Sequence, residues 1–245
     1  MISPSIASLR RAALAVSLSA TLGLSLAAAQ TGPGPARRVL AGDDSTHRLA
    51  IVAPDNSVEW ETKIGPIHDA SVLPNGNVLF QQSWTRLVEM TPEHKIVWEY
   101  DSATQNGNAG KRVEVHAFQR VGRGRTMIAE SGPARIIEVD ARGKLRHEIK
   151  LKVNHPNAHS DTRLCRKLSN GHYLVAHESD GAVREYDRKG RVVWEYEVPL
   201  FGNAAKGGHG AEAFGNSIFS AIRLANGNTL IGGGNGHSVL EVTPK

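Results

Sequence analysis

The stretch His68-Asp-Ala-Ser-Val-Leu-Pro-Asn-Gly-Asn-Val-Leu-Phe80, followed by Arg86-Leu-Val-Glu-Met-Thr-Pro92 and Lys95-Ile-Val-Trp-Glu-Tyr100, decides how the rest of the chain is read. The Asn75-Gly76 pair readily supplies the positive φ angles that a tight hairpin needs. Short runs rich in apolar and β-branched residues flank it, and turn residues separate the two runs that follow. The segment therefore predicts four consecutive strands, over 70–73, 78–82, 86–90 and 96–100.

The same unit comes round again. Gly124, Gly171 and Gly227 occupy the place of Gly76, at spacings of 48, 47 and 56 residues. Third strands are expected at 135–139, 183–186 and 238–242, and fourth strands at 145–149 and 192–196. A period in that range, built from short strands with turns at fixed offsets, predicts the four-stranded blades of an all-β propeller. Trp98 and Trp194 share one place on the fourth strand, with His147 there in the second repeat, which reads as a ring packed between neighbouring sheets.

The ends fit less well. Residues 48–61 align with 86–99, so the chain opens on a third and fourth strand only, and it stops at Thr243-Pro-Lys245 where another fourth strand is due. The expectation is about four blades plus a half blade, incomplete or open. Strand 58–63 would complete the last blade and leave strand 49–52 surplus, or the chain is a truncated form of a longer propeller. The second reading is preferred, because a closed four-blade ring has no place for the surplus strand.

Ahead of the repeats, Arg10 and Arg11 precede an apolar run over 12–28 that closes on small alanines, the pattern of a secretory signal peptide over 1–29. Ser17, Ser19, Thr21 and Ser25 dilute that run below what a comfortable membrane span needs. Residues 30–47 then read as a turn-rich linker and 48–245 as the propeller domain. The expected compartment is periplasmic or secreted, with no stable membrane span after cleavage. Loss of the two arginines lowers the net charge from +5 to +3, and no Lys/Arg run forms a phosphate-binding stripe, so nucleic acid is not expected as a partner. Cys165 is the single cysteine, which excludes an internal disulfide, and its alternating strand context reads as a buried inert thiol.

The turns Val139-Asp-Ala-Arg-Gly-Lys-Leu145 and Tyr186-Asp-Arg-Lys-Gly-Arg-Val-Val-Trp-Glu195, with Leu73-Pro-Asn-Gly-Asn77 and Leu224-Ala-Asn-Gly-Asn-Thr-Leu-Ile231, resemble the PQQ-like β-propeller superfamily, in the branch similar to bacterial arylsulfotransferases. The resemblance runs from Arg48 to Lys245. Within it, quinoprotein dehydrogenases carry a vicinal disulfide beside the quinone, which a chain with one cysteine cannot form, so neither PQQ nor another cofactor is expected. His155-Pro-Asn157 is similar to a His-Pro-Asn segment of arylsulfotransferases, and the likeness implies a channel histidine, His159, that accepts a sulfuryl group from an aryl ester.

Five positions before the apolar residue that opens each hairpin sit His68, His116, Arg163 and Phe219. Equivalent residues in a propeller converge on the axis when they point inward. Two histidines and an arginine at one level suggest an anion site, since Arg presents a planar donor fork and neutral His serves as base or nucleophile. His68, His116 and His159 are therefore the candidate catalytic residues, with Arg163 and Asp69 as candidate ligand-binding residues. A His68-Asp69 pair at a strand start also reads as a tie between blades. His155, His159 and Asp161 sit on a His-Pro loop rather than one helical face, so no metal is expected. The Gly-rich loop 207–216 adds His209, Glu212 and Asn216 as surface ligand contacts. The leading functional expectation is an exported module that binds a small ligand or an envelope protein without catalysis. The alternatives are an arylsulfotransferase-like enzyme and a scaffold in envelope assembly.

Overall fold

Short strands, Asn-Gly and Asp-x-x-Gly turns, and apolar residues on alternate positions fold into five antiparallel sheets. The computed structural model describes residues 36–245 apart from Arg123 and His209. The signal-peptide reading of 1–29 falls outside the described residues. Blade 1 holds β1 (Val39–Asp43), β2 (Arg48–Val52) and β3 (Val58–Lys63). Blade 2 holds β4 (Ala70–Val72), β5 (Val78–Gln81), β6 (Arg86–Met90) and β7 (Ile96–Asp101). Blade 3 is β8 (Glu114–Val121), β9 (Arg125–Ser131), β10 (Arg135–Val139) and β11 (Leu145–Lys150). Blade 4 is β12 (Cys165–Lys167), β13 (Tyr173–His177), β14 (Ala182–Tyr186) and β15 (Val192–Glu197). Blade 5 has β16 (Ile218–Arg223), β17 (Thr229–Gly233) and β18 (Val239–Val242). Strands pair in chain order within each sheet, with no helix among the described residues. The protein is a five-bladed β-propeller of three- and four-stranded blades.

Two expectations about the ends are corrected. The half blade is a three-stranded sheet, because β1, inside the stretch read as a linker, pairs along its whole length with β2. Asp43 closes that hairpin by accepting from Ser45 N and Oγ (2.9 and 2.6 Å) and from Thr46 Oγ1 (2.7 Å). The strand 58–63 pairs with β2 and not with the last blade, so residues 49–52 are the middle of a sheet rather than surplus.

The repeat is visible in its irregularities as well as its strands. The third and fourth strands slip register at Ile51/Val52, Glu89/Met90, Glu138/Val139 and Glu185/Tyr186, one bulge at the same place in four blades. At that place blades 2 to 4 carry a glutamate, and the first strand of the next blade supplies its cation. Arg120 meets Glu89, Lys167 meets Glu138, and Arg223 meets Glu185 at 2.8 Å. The fourth-strand rings lie beside these pairs, with Arg120 4.9 Å above Trp98 and Arg223 5.1 Å above Trp194. Four apolar clusters fill the spaces between successive blades, for example Leu79, Leu87 and Tyr100 against Phe118, Ile128 and Ile137. Each such large side chain contributes about 1.5–3 kcal/mol by leaving water. Cys165 is buried in one cluster, as expected, and burial pushes its thiol up to about 12.

Two of the positive-φ glycines show what the backbone requires. Gly76 adopts φ +84° in the hairpin read from Asn-Gly. Gly132 has φ +88°, and a Cβ there would lie 2.2 Å from the Arg112 carbonyl oxygen. Gly132→Ala is expected to lower stability by roughly 1–3 kcal/mol, the usual range for forced strain. Its urea midpoint measures this, and an unchanged midpoint would contradict the steric argument.

Candidate functional site

The inward-facing residues of four blades meet where the offset rule puts them. His68, in the segment before β4, donates its backbone N–H to Gln81 Oε1 at 3.0 Å, and Gln81 Nε2 donates to the Val115 carbonyl at 2.8 Å. His116 lies on β8 at a bulge between Val115 and Ala117, and Phe219 lies on β16 at the equivalent bulge between Ile218 and Ser220. A bulge re-aims a side chain that regular pairing would send elsewhere. Together with Arg163 these residues line one cavity of about 310 Å³.

His159 reaches the same place from the loop between β11 and β12. Buried Asp161 holds that loop by accepting from Asn157 N (2.6 Å) and Gly132 N (2.9 Å), and Asp180 holds its start through Asn154 N and His155 N. The His159 ring is 6.5 Å from His68 and 5.4 Å from His116. Those carboxylate roles place Asp161 in a structural post, while the His155 side chain is largely exposed, so His155, His159 and Asp161 are not a ligand set.

Tautomers follow from partners. His116 Nδ1 lies 2.7 Å from the Thr162 carbonyl oxygen, which only accepts, so Nδ1 carries the hydrogen and Nε2 of the neutral ring carries the lone pair. Arg163 donates from NH2 to His159 Nε2 at 3.0 Å, so His159 donates from Nδ1 to Glu114 Oε2 at 2.6 Å. Glu114 also accepts from Arg112 at 3.1 Å, and these donors outweigh its burial to hold the carboxyl below its usual range. Burial first, with the neighbouring cations and rings adding to it, lowers both His68 and His116 to about 4, so both are neutral at physiological pH. Arg163 is anchored through Nε on Glu178 and lies 5.2 Å above the Phe219 ring.

Sequence reasoning missed three of these residues. Trp84, in the β5–β6 turn, sets its ring 5.2 Å from His68, 6.0 Å from His116 and 5.5 Å from His159. It alone of the four tryptophans is not on the last strand of its blade, which was the available signal. Glu178 comes from a position whose blade equivalents, Ser83, Ser131 and Gly234, are not acidic, whereas Glu114 shares its offset with Asp161 of the next blade, a signal the sequence did carry.

Other predicted residues lie elsewhere. Both oxygens of Asp69 are held by Arg166 (2.7 and 2.9 Å), and Oδ2 also accepts from Phe118 N. It ties blades 2, 3 and 4 together and does not line the cavity of His116 and Arg163. The loop after Leu200 closes on itself through a Lys206–Phe214 bridge, Glu212 is exposed, and Asn216 lies against Gly181. Neither Glu212 nor Asn216 lines the cavity, and His209 is outside the described residues.

Comparison with known proteins adds the following. No curated protein matches the chain. Among solved structures, a protein of unknown function from Bacteroides caccae is 19% identical with a TM-score of 0.65, covering 82% of this chain and 67% of that one. Streptogramin B lyase is 13% identical with a TM-score of 0.58, covering 87% and 67%. Virginiamycin B lyase from Staphylococcus aureus is 14% identical with a TM-score of 0.57, covering 85% and 64%. These likenesses show the fold, and the chain spans about two thirds of the length of these propellers. A family profile matches residues 45–244, the whole run of blades from β2 onward, and by that match the chain belongs to the PQQ-like propeller family described as outer membrane protein assembly factor BamB.

Proposed function

We propose that this is an exported binding propeller whose channel cavity takes a small aromatic anion and leaves it chemically unchanged. The observation that carries this reading is that one residue from each of four blades, His68, His116, Arg163 and Phe219, lines one cavity. Its volume of about 310 Å³ suits a small aromatic molecule and sits at the lower end of ligand pockets. Phe219 offers an apolar ring face in the cavity, Trp84 stands behind His68, and Arg163 keeps N–H groups beyond those that hold Glu178 and His159. Calorimetric titration with 4-nitrophenyl sulfate is expected to give one site per chain with no release of nitrophenol. Arg163→Gln is expected to weaken it about tenfold, which is about 1.4 kcal/mol. Absence of saturable heat in the wild type would overturn the proposal.

A second reading is sulfuryl transfer from an aryl ester, favoured by the convergence of three histidines with Arg163. His116 Nε2 would attack sulfur as the aryl oxygen–sulfur bond breaks and phenolate leaves, and an acceptor hydroxyl would then take the group as the N–S bond breaks. Tautomers select His116, because Arg163 occupies His159 Nε2. Nitrophenol release that disappears in His116→Ala would replace the first reading with this one. The family's description as an assembly factor favours a protein-binding role besides, which an envelope pull-down with the full chain reads directly.

A further inference from the structure

At one edge of the cavity two acceptor atoms face each other. His116 Nε2 lies 3.3 Å from Glu114 Oε2, and the Thr162 carbonyl has already fixed the ring hydrogen on Nδ1. The contact takes a positive centre between the two atoms, either a second ring proton or a cation. His159 Nδ1 is the third member, 2.6 Å from the same oxygen. One donor atom from each of the three residues lies within 4.8 Å of the others.

We propose that Glu114, His116 and His159 bind a divalent transition cation of the zinc class. Two imidazole nitrogens and a carboxylate oxygen, with one position left open, is a recurring zinc donor set. Bonds of about 2.0–2.1 Å in a tetrahedron put neighbouring donors about 3.3–3.4 Å apart, which the His116–Glu114 pair already matches. Glu114 and His116 are two positions apart on β8, and the bulge at His116 brings the two side chains together. The outer contacts are also of the kind that orient metal ligands. The Thr162 carbonyl holds His116, Ser131 Oγ accepts from Thr162 N at 3.0 Å, and Arg112 holds the far oxygen of Glu114. His116 also lines the cavity, so a bound cation would sit at its edge. The inference does not depend on which ligand the cavity takes.

Loading has one structural consequence. His159 must give Nδ1 to the cation, so its hydrogen moves to Nε2 and the ring stays neutral. The 3.0 Å contact from Arg163 to Nε2 must then open, and the guanidinium charge also opposes the cation. Arg163 is therefore an antagonist of the metal. Its replacement is expected to tighten metal binding while weakening aromatic anions, so this inference and the proposed function have opposite signatures in one variant.

The test uses untagged full-length protein stripped with a chelator and titrated with zinc against a chromophoric competitor. The expected result is one site per chain, with Glu114→Gln and His159→Ala each weakening it by roughly 100-fold or more, beyond the 10–100-fold of outer-shell changes. Arg163→Gln is expected to tighten it several-fold. His172→Ala is the control, since His172 Nδ1 also lies 2.6 Å from a carboxylate, Glu185, outside this cluster. Cobalt in place of zinc is expected to give the visible absorption of a low-coordinate site. Unsaturable binding, more than one equivalent, or affinity retained in both Glu114→Gln and His159→Ala would overturn the proposal. Thermal melts of each variant confirm that a lost site is not a lost fold.

Discussion

Replacing Arg184 with methionine is expected to lower the unfolding free energy by about 3–5 kcal/mol, the range for removing one partner of a buried ion pair. Arg184 on β14 is fully buried, as is the Asp180 carboxylate that its NH1 contacts. Its Nε donates to Glu195 at 2.7 Å and NH1 to the Lys152 carbonyl at 3.0 Å. Methionine fills most of the volume but strands the Asp180 charge away from water. Urea unfolding monitored by circular dichroism reads the loss as a lower midpoint at constant slope, and a loss below about 1 kcal/mol would contradict the argument. A second effect reaches the site. Asp180 also accepts from Asn154 N and His155 N, so the loop that delivers His159 is expected to exchange its amide hydrogens faster in the variant.

Acid is expected to destabilise the protein steeply between pH 6.5 and about 4, with His177 accounting for about 3 kcal/mol of the loss. His177 is fully buried, and its Nδ1 lies 2.7 Å from the Asp161 carbonyl oxygen while Nε2 accepts from Tyr186 Oη at 2.9 Å. Burial, reinforced by the Arg184 charge, drops its pKa from 6.5 to about 4. In the unfolded chain the ring takes up a proton below 6.5, whereas in the fold it does so only near 4. The unfolded state therefore binds more protons across that window, and stability is complete above 6.5 and declines as the pH falls toward 4. Denaturation curves at several pH values should show the slope in the wild type and a shallower one in His177→Gln. Equal slopes would assign the acid limb to other groups.

Much of this architecture is written in the chain at the scale of one blade. The Asn75-Gly76 hairpin, the third strand from Arg86 and the fourth around Trp98 all form where the pattern puts them, because strand alternation and positive-φ turns are local properties. The edge strand β1 escaped because its side chains are mostly exposed, and an exposed strand has no hydrophobic alternation to detect. The site divides the same way. His68, His116, Arg163 and Phe219 share an offset, so rotation about the propeller axis brought them to one cavity. Trp84 and Glu178 break the repeat, and Glu114 shares its offset only with Asp161, so the folded backbone is what shows that they gather at one point. Asp69, Glu212 and Asn216 lie away from this cavity, and a common reason kept that from being read in the sequence. A polar side chain or a Gly-rich insert marks a constrained place without saying whether another blade or a ligand supplies the constraint.

The glutamate at the third-strand bulge and the cation on the next blade also decide how such a chain can grow by gene duplication. Blades 3 and 4 each carry both halves, Arg120 with Glu138 and Lys167 with Glu185, so a tandem copy of either restores a charge pair at every new seam. Blade 1 has Ile51 in the glutamate's place, and blade 2 has Val72 in the cation's. A copy of blade 1 inserted before blade 3 would leave Arg120 facing an isoleucine. A duplication of blade 3 or blade 4 would therefore keep every seam paired, whereas one of blade 1 would leave a cation without its carboxylate.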